Sequence, residues 1–183
     1  EYFSEDPYLT GVCACEITKG VQNDRPVIVC PKHFAANEQE TFRRGNAGKN
    51  VDAVDSILTE RALRELYLKP FEMLVKDAGI ACIMTSFNKI NGSFAGGSHD
   101  LCTHILREEW GFEGAVVTDW GDMDMVVDGA DAVAAGNDIV MPGGPPVIRQ
   151  ILKGYEEGRV TREELEQAVR HLLIMIKRIR LAD

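Results

Sequence analysis

Segments with apolar residues at helical spacing alternate with short, continuous apolar runs along almost the whole chain. Asp6-Pro7 opens the first helix with a side-chain cap and a proline in the first turn, and the helix runs to about Gln22. Val27-Ile28-Val29-Cys30 predicts a buried strand over residues 27–30. Thr59 caps a long helix carrying Leu63, Leu66, Leu68, Phe71 and Leu74, which Gly79 ends. Residues 80–85 predict a second strand, and Ser98 opens a helix with Leu101, Ile105 and Leu106 that closes near Trp110-Gly111. A third strand follows at 115–118, a helix at about 122–135 and a fourth strand at 138–141, punctuated by Pro142-Gly143-Gly144. Two helices close the chain. The last has a capping box, Thr161 with Glu164, ahead of Leu165, Val169, Leu172, Leu173, Ile176 and Ile179. Residues 35–50 lack periodicity and form a long polar loop of the kind that usually carries function or is disordered.

Continuous apolar strands, each followed by a helix, predict an α/β fold with a parallel sheet covered by helices. An open doubly wound sheet and a (β/α)8 barrel both fit that order. Unusual residues gather where the strands end: Lys32 and His33 after the first, Met84, Phe87 and Asn88 at the second, Asp119 and Trp120 after the third, Met141 after the fourth. Barrel enzymes build their sites at such carboxyl ends, and no strand-to-helix junction has the glycine-rich turn of a nucleotide-binding sheet. A closed barrel needs eight strands and usually about 250 residues. The expectation is therefore a partial (β/α)8 TIM-type barrel, with about four parallel strands and covering helices over 1–145, and C-terminal helices trailing it over 146–183. Two open edges would expose unpaired backbone, which predicts self-association or further chain covering them.

Composition narrows the function classes only a little. In 183 residues, 45% hydrophobic and 27% charged, one domain with a sizeable core is expected. A formal net charge of -9 argues against nucleic acid and anionic membrane as partners. No apolar run approaches the ~20 residues of a membrane span. The odd count of five cysteines (Cys13, Cys15, Cys30, Cys82 and Cys102) does not suggest a disulfide framework. They read as small buried hydrophobes in a reducing compartment, which places the protein in the cytoplasm. No signal peptide is visible, and an opening at Glu1 without methionine leaves room for sequence further upstream.

Asp119 carries the chemistry most clearly, because an apolar strand ends there in a carboxylate beside the indole of Trp120. A strand orients a carboxylate more firmly than a loop does, and an indole face is a platform on which a sugar ring stacks. Lys32 and His33 offer fixed donors to hydroxyl groups. Lys32 also has a rival meaning, a Schiff-base lysine of an aldolase. Arg43 alone reads as a solvated surface charge, and Met84 and Phe87 as core. Glu38, Glu40, Asp122 and Asp124 lie in strand-end loops, but no spacing marks one of them as an acid. Nothing in these patterns calls for a cofactor or a metal ion.

Taken together, these segments resemble family-three glycoside hydrolases of the β-glucosidase type. Lys32-His33-Phe34-Ala35-Ala36-Asn37-Glu38-Gln39-Glu40 is similar to the family's KHFxxNxQE, with Arg43 at the place of its arginine. Met84-Thr85-Ser86-Phe87-Asn88-Lys89-Ile90-Asn91-Gly92 resembles MxSYNxxNG, with phenylalanine where tyrosine is usual. Leu106 to Gly114, leading into Thr118-Asp119-Trp120-Gly121, resembles the signature around the nucleophile. The opening Glu1 to Tyr8 resembles a segment that follows an earlier barrel strand. The resemblance implies retaining hydrolysis of terminal non-reducing β-D-glycosides. Asp119 would be the nucleophile, Lys32, His33 and Arg43 sugar-hydroxyl contacts, and Met84, Phe87 and Trp120 walls of the first subsite. It also implies a glutamate acid/base in a second domain beyond this chain, and further sugar contacts before Glu1. The loop after Phe34 lacks the catalytic histidine of the N-acetylglucosaminidase branch. By itself the chain could also be a non-catalytic, carbohydrate-binding or structural fragment.

Overall fold

The computed structural model describes residues 3–23, 26–121 and 126–180. Helix α1 (Pro7–Gln22) starts where its cap sits, with the Leu9 N–H donating to Asp6 Oδ1 at 2.8 Å. A two-residue strand, β1 (Asp55–Ser56), precedes α2 (Glu60–Ala62), whose first turn is capped by Thr59 Oγ1. The helix expected to run unbroken to Gly79 is divided. Residues Leu63–Tyr67 wind as π-helix before α3 (Lys69–Ala78) resumes. Pro70 accounts for this, since it has no N–H to give and its ring crowds the preceding turn, and the Leu68 N–H reaches back five residues to Leu63 O at 2.9 Å. Gly79, at φ 59°, closes α3 in the left-handed conformation that glycine adopts without strain.

Strand β2 (Cys82–Met84) leads into a hairpin of β3 (Lys89–Ile90) and β4 (Ser93–Phe94). Asn91 and Gly92 turn it at φ 50° and 88°, the signs that a two-residue hairpin requires. The hairpin pairs with β1 in parallel, Asp55 beside Lys89. A second π-helical segment, Asp100–Glu109, has Ser98 Oγ accepting from the Leu101 N–H at 3.2 Å. After β5 (Ala115–Val117) comes α4 (Gly129–Ala135). The helix expected from 122 therefore begins at Gly129, because Asp128 supplies its cap through Ala130 N–H at 2.9 Å. Asp122 and Asp124 lie outside the described residues. Helices α5 (Pro145–Glu156) and α6 (Arg162–Arg180) follow, and Thr161 and Glu164 bond each other's backbone N–H groups as the capping box predicts.

Four backbone segments lie side by side in chain order, all parallel. Phe34 bridges Thr85, β2 pairs with β5, and Val117 bridges Ile139. The first and last differ from the sequence expectation. Residues 27–30 make no ladder, and pairing begins where Pro31 O accepts from the Met84 N–H at 3.0 Å. Of residues 138–141, Ile139 alone bridges, because the Met141 N–H turns to the Thr118 hydroxyl at 2.9 Å.

Alternation along the strands sorts the two faces. Ile83 and Val116 are fully buried and join Phe34 in a core with Leu63, Leu68, Phe71, Leu74, Leu101, Ile105 and Leu106. Met84, Ala115, Val117 and Asp119 therefore project from the opposite face. Two smaller clusters seat α4 against the closing helices, through Val127, Ala132 and Val147 and through Ala130, Val133 and Val160. Gly154 of α5 lies so close to Ala130 that any side chain there would collide. At the amino end of the sheet, Asp138 accepts from Arg107 at 2.7 Å and from the Val116 N–H at 2.7 Å, and meets His171 Nδ1 at 2.8 Å. All five cysteines are free thiols, and Cys13 and Cys30 are half-buried rather than buried as expected. Among the described residues no helix is long and apolar enough to cross a membrane.

Candidate active site

Asp119 is the second residue past β5, so alternation turns it to the same face as Val117 while the strand fixes its backbone. Its residue exposure is 8%, low for a carboxylate. The two oxygens are in different situations. Oδ1 accepts from the Trp120 N–H at 2.7 Å, which fixes the rotamer. Oδ2 has no hydrogen-bond partner among the described residues. It faces His33 Nε2 at 3.3 Å and the Arg43 guanidinium at 4.0 Å.

The segment from His33 to Arg43 supplies those two groups and holds them to each other. Asn37 Nδ2 lies 3.4 Å from His33 Nδ1 and donates to Glu40 Oε1 at 2.8 Å. Arg43 donates to the same Glu40 oxygen at 3.2 Å. His33, Asn37, Glu40, Arg43 and Asp119 thus close a ring in which Glu40 balances Arg43 and Asn37 orients the imidazole. With the Asn37 amide donating to Nδ1, His33 presents Nε2–H towards the carboxylate side. His33 and Asn37 are buried, which limits their conformational freedom, while Glu40 is exposed at the outer side of the ring.

Phe87 lies beneath this ring at 3% exposure, with the Arg43 guanidinium 4.9 Å and that of Arg44 5.7 Å from its centroid. A benzene ring under a guanidinium steers it through cation–π attraction without offering a hydrogen bond. Trp120 stands at the rim, 59% exposed. Met84 is half-buried at the end of β2, opposite Val117 in register. Lys32 is exposed. It lines, with Glu38, a cavity of about 530 Å³ between α1 and α3 whose wall does not include Asp119.

Of the sequence-derived candidates, the structure brings His33, Arg43, Phe87 and Trp120 into one constellation with Asp119. Met84 flanks it on the neighbouring strand, and Lys32 stands apart. Asn37, which was not a candidate, and Glu40, which was weighed as an acid and left unassigned, complete the constellation. Their signal is present in the Asn37 to Glu40 spacing of the same loop, but only the fold shows that they clamp His33 and Arg43. Among the described residues no group of three or more His, Cys, Asp or Glu side chains could hold a metal ion.

The model of the glycosyl hydrolase family 3 N terminal domain matches residues 1–175. Beta-glucosidase B of Emericella nidulans is 39% identical over 181 residues, covering 98% of this chain and 20% of that protein. Beta-glucosidase A of Butyrivibrio fibrisolvens is 41% identical over 167 residues, covering 91% and 18% respectively. The chain thus spans about a fifth of the length of these relatives. The structure of beta-glucosidase 3B from Thermotoga neapolitana in complex with glucose superposes at a TM-score of 0.87 with 38% identity, over all of this chain and 25% of that one. The α/β fold, the motif order and the family match over 1–175 agree, and the chain belongs to glycosyl hydrolase family 3.

Proposed function

We propose that the protein containing this chain hydrolyses terminal non-reducing β-D-glycosides with retention, and that Asp119 is its nucleophile. One observation carries the reading: Asp119 has one oxygen fixed by the Trp120 N–H and the other without a hydrogen-bond partner among the described residues, facing a histidine and an arginine. An attacking carboxylate needs that asymmetry, with its rotamer locked and one lone pair available.

In the reaction, Asp119 Oδ2 bonds to the anomeric carbon as the bond to the leaving oxygen breaks. An acid protonates that oxygen, then deprotonates the water that releases the sugar. Retention places the two carboxyl groups about 5–5.5 Å apart. Glu40 is an unsuitable acid, since its Oε1 already accepts from Asn37 and Arg43. The acid is taken to be a glutamate in a further domain, as the family resemblance implies. His33, Arg43 and Lys32 hold sugar hydroxyls, while Met84, Phe87 and Trp120 shape the subsite. For Lys32, which stands apart from that constellation, the assignment rests on its motif alone.

The four parallel segments are read as half of a closed (β/α)8 barrel over 1–145, with 146–183 as trailing helices. The remaining strands, or a second copy, cover the flank on which Tyr8, Leu9 and Val12 of α1 are exposed. The test is an activated aryl β-glucoside hydrolysed by the full-length protein and followed by NMR. The first-formed sugar should be the β anomer. First-formed α anomer would exclude retention.

A further inference from the structure

A second arginine stands beside the site, and the proposed reaction does not use it. Consecutive residues of an extended chain face opposite ways, yet the Arg43 and Arg44 guanidiniums both lie against the Phe87 ring, at 4.9 and 5.7 Å from its centroid. A tight turn brings this about. Phe42 is left-handed at φ 57°, and its carbonyl accepts from the Gly45 N–H at 2.7 Å and from the Val54 N–H at 3.3 Å. The Arg43 N–H in turn reaches Glu40 O at 3.3 Å. The two arginines differ in depth. Arg43, whose side chain is 26% exposed, meets Glu40 and faces Asp119, whereas Arg44 is exposed. The Arg44 guanidinium reaches from Phe87, just past β2, to Gly121, just past Trp120, where a Cβ built on the glycine would stand 3.5 Å from Nη1. Among the described residues it makes no ion pair and no hydrogen bond.

We propose that Arg44 binds a carboxylate on the leaving group of the substrate, so that glycosides of acidic aglycones are preferred. This rests on the β-glycosidase reading above. A terminal sugar enters such a site first, with its anomeric carbon at Asp119 Oδ2 and its leaving group directed away from that oxygen, towards solvent. The deeper Arg43 then meets the sugar, and the outer Arg44 meets what is attached to it. A planar guanidinium with open edge donors takes a carboxylate through two parallel hydrogen bonds. The turn and the Phe87 ring hold that guanidinium in place before binding, which lowers the cost of ordering it. A monoanion suits the position better than a dianion, because the Asp119 and Glu40 carboxylates beside Arg43 repel further negative charge.

The experiment is calorimetric binding of two hydrolysis-resistant probes, 4-carboxyphenyl 1-thio-β-D-glucoside and its neutral carboxamide, to the full-length protein at neutral pH. At low salt the carboxylate should bind about three- to tenfold more tightly, as a partly exposed, charge-assisted pair allows. Raising the ionic strength to about 0.5 M should remove most of that advantage. Arg44→Gln should abolish it, and Arg44→Lys, which keeps the charge without the fork, should restore part of it. A carboxylate bound no better than the carboxamide, or an advantage that survives in salt or in Arg44→Gln, would overturn the proposal. Should the variants fail to fold, the salt series on the wild-type protein decides alone. Binding of neither probe would overturn the proposal together with the reading of a β-glucoside site. Equal binding of both, with a fluorosugar trapped on Asp119, would overturn the role of Arg44 alone.

Discussion

At the scale of single residues, the site depends on how one carboxylate is presented. Asp119→Asn keeps the Trp120 contact but removes the attacking charge, so kcat on an aryl β-glucoside should fall by about 10⁴-fold or more while the fold persists. Phe87 acts at one remove, by holding the Arg43 guanidinium over its ring at 4.9 Å. Phe87→Leu keeps the volume and removes the π face, a loss of about 0.5–2 kcal/mol in Arg43 placement. Steady-state kinetics should show this as a severalfold rise in KM with a smaller change in kcat. An unchanged KM would mean that Arg43 is held by Glu40 alone. Asp119, His33, Arg43, Phe87 and Trp120 were legible from motif position. Asn37 and Glu40 were not singled out, because a clamp made between residues three and four apart in an irregular loop depends on a backbone path that has no periodicity. Lys32 was grouped with His33 because they are adjacent, yet neighbours in extended chain point to opposite sides unless the backbone departs from regular geometry.

At the scale of elements, apolar rhythm and caps located the helices well, and local exceptions account for the differences. Pro70 divided the Thr59 helix, and Asp128 rather than an earlier aspartate set the start of α4. The hairpin of β3 and β4 escaped the pattern because two-residue strands are too short to show alternation, and Asn91-Gly92 was the available signal. The first strand shifted along the chain because pairing is set by which carbonyl the Met84 N–H finds, not by the most apolar run. Two predictions belong here. Arg107 and Asp138 form a pair with side-chain exposures of 11% and 2%, joining the π-helical segment to the fourth strand. Arg107→Met leaves a buried carboxylate short of its cation and should cost about 3–5 kcal/mol in urea unfolding. On α3, Lys76 and Lys69 hold the Glu72 carboxyl below the usual range, chiefly through the Lys76 hydrogen bond at 2.7 Å. A lowered acid contributes stability above its unfolded value and loses it as pH falls through its folded one. Glu72→Gln should therefore destabilise by under about 1 kcal/mol at neutral pH. The difference from wild type should vanish in acid, as denaturation curves across that range would show.

At the scale of the molecule, family membership rests on a match that runs through residues 1–175, whereas the chemistry rests on a part of the site. The chain holds one carboxylate with a histidine and an arginine beside it, and among the described residues no second carboxyl lies within that constellation except Glu40, which is bonded to Asn37 and Arg43. The relatives it matches are about five times its length, so the other half of the reaction has room outside these residues. An α/β architecture follows from the order of apolar runs alone, because continuous runs followed by helices leave few other arrangements. Barrel closure could not be read from this segment, since that depends on how the first and last strands meet their neighbours. The central claim is the covalent role of Asp119, and a 2-deoxy-2-fluoro-β-glucoside with a good leaving group tests it most directly. The full-length protein incubated with it and digested should yield a peptide containing Asp119 that carries one fluorosugar, and Asp119→Asn should yield none. A fluorosugar on any other residue, or turnover of the parent glucoside with no adduct, would contradict the account.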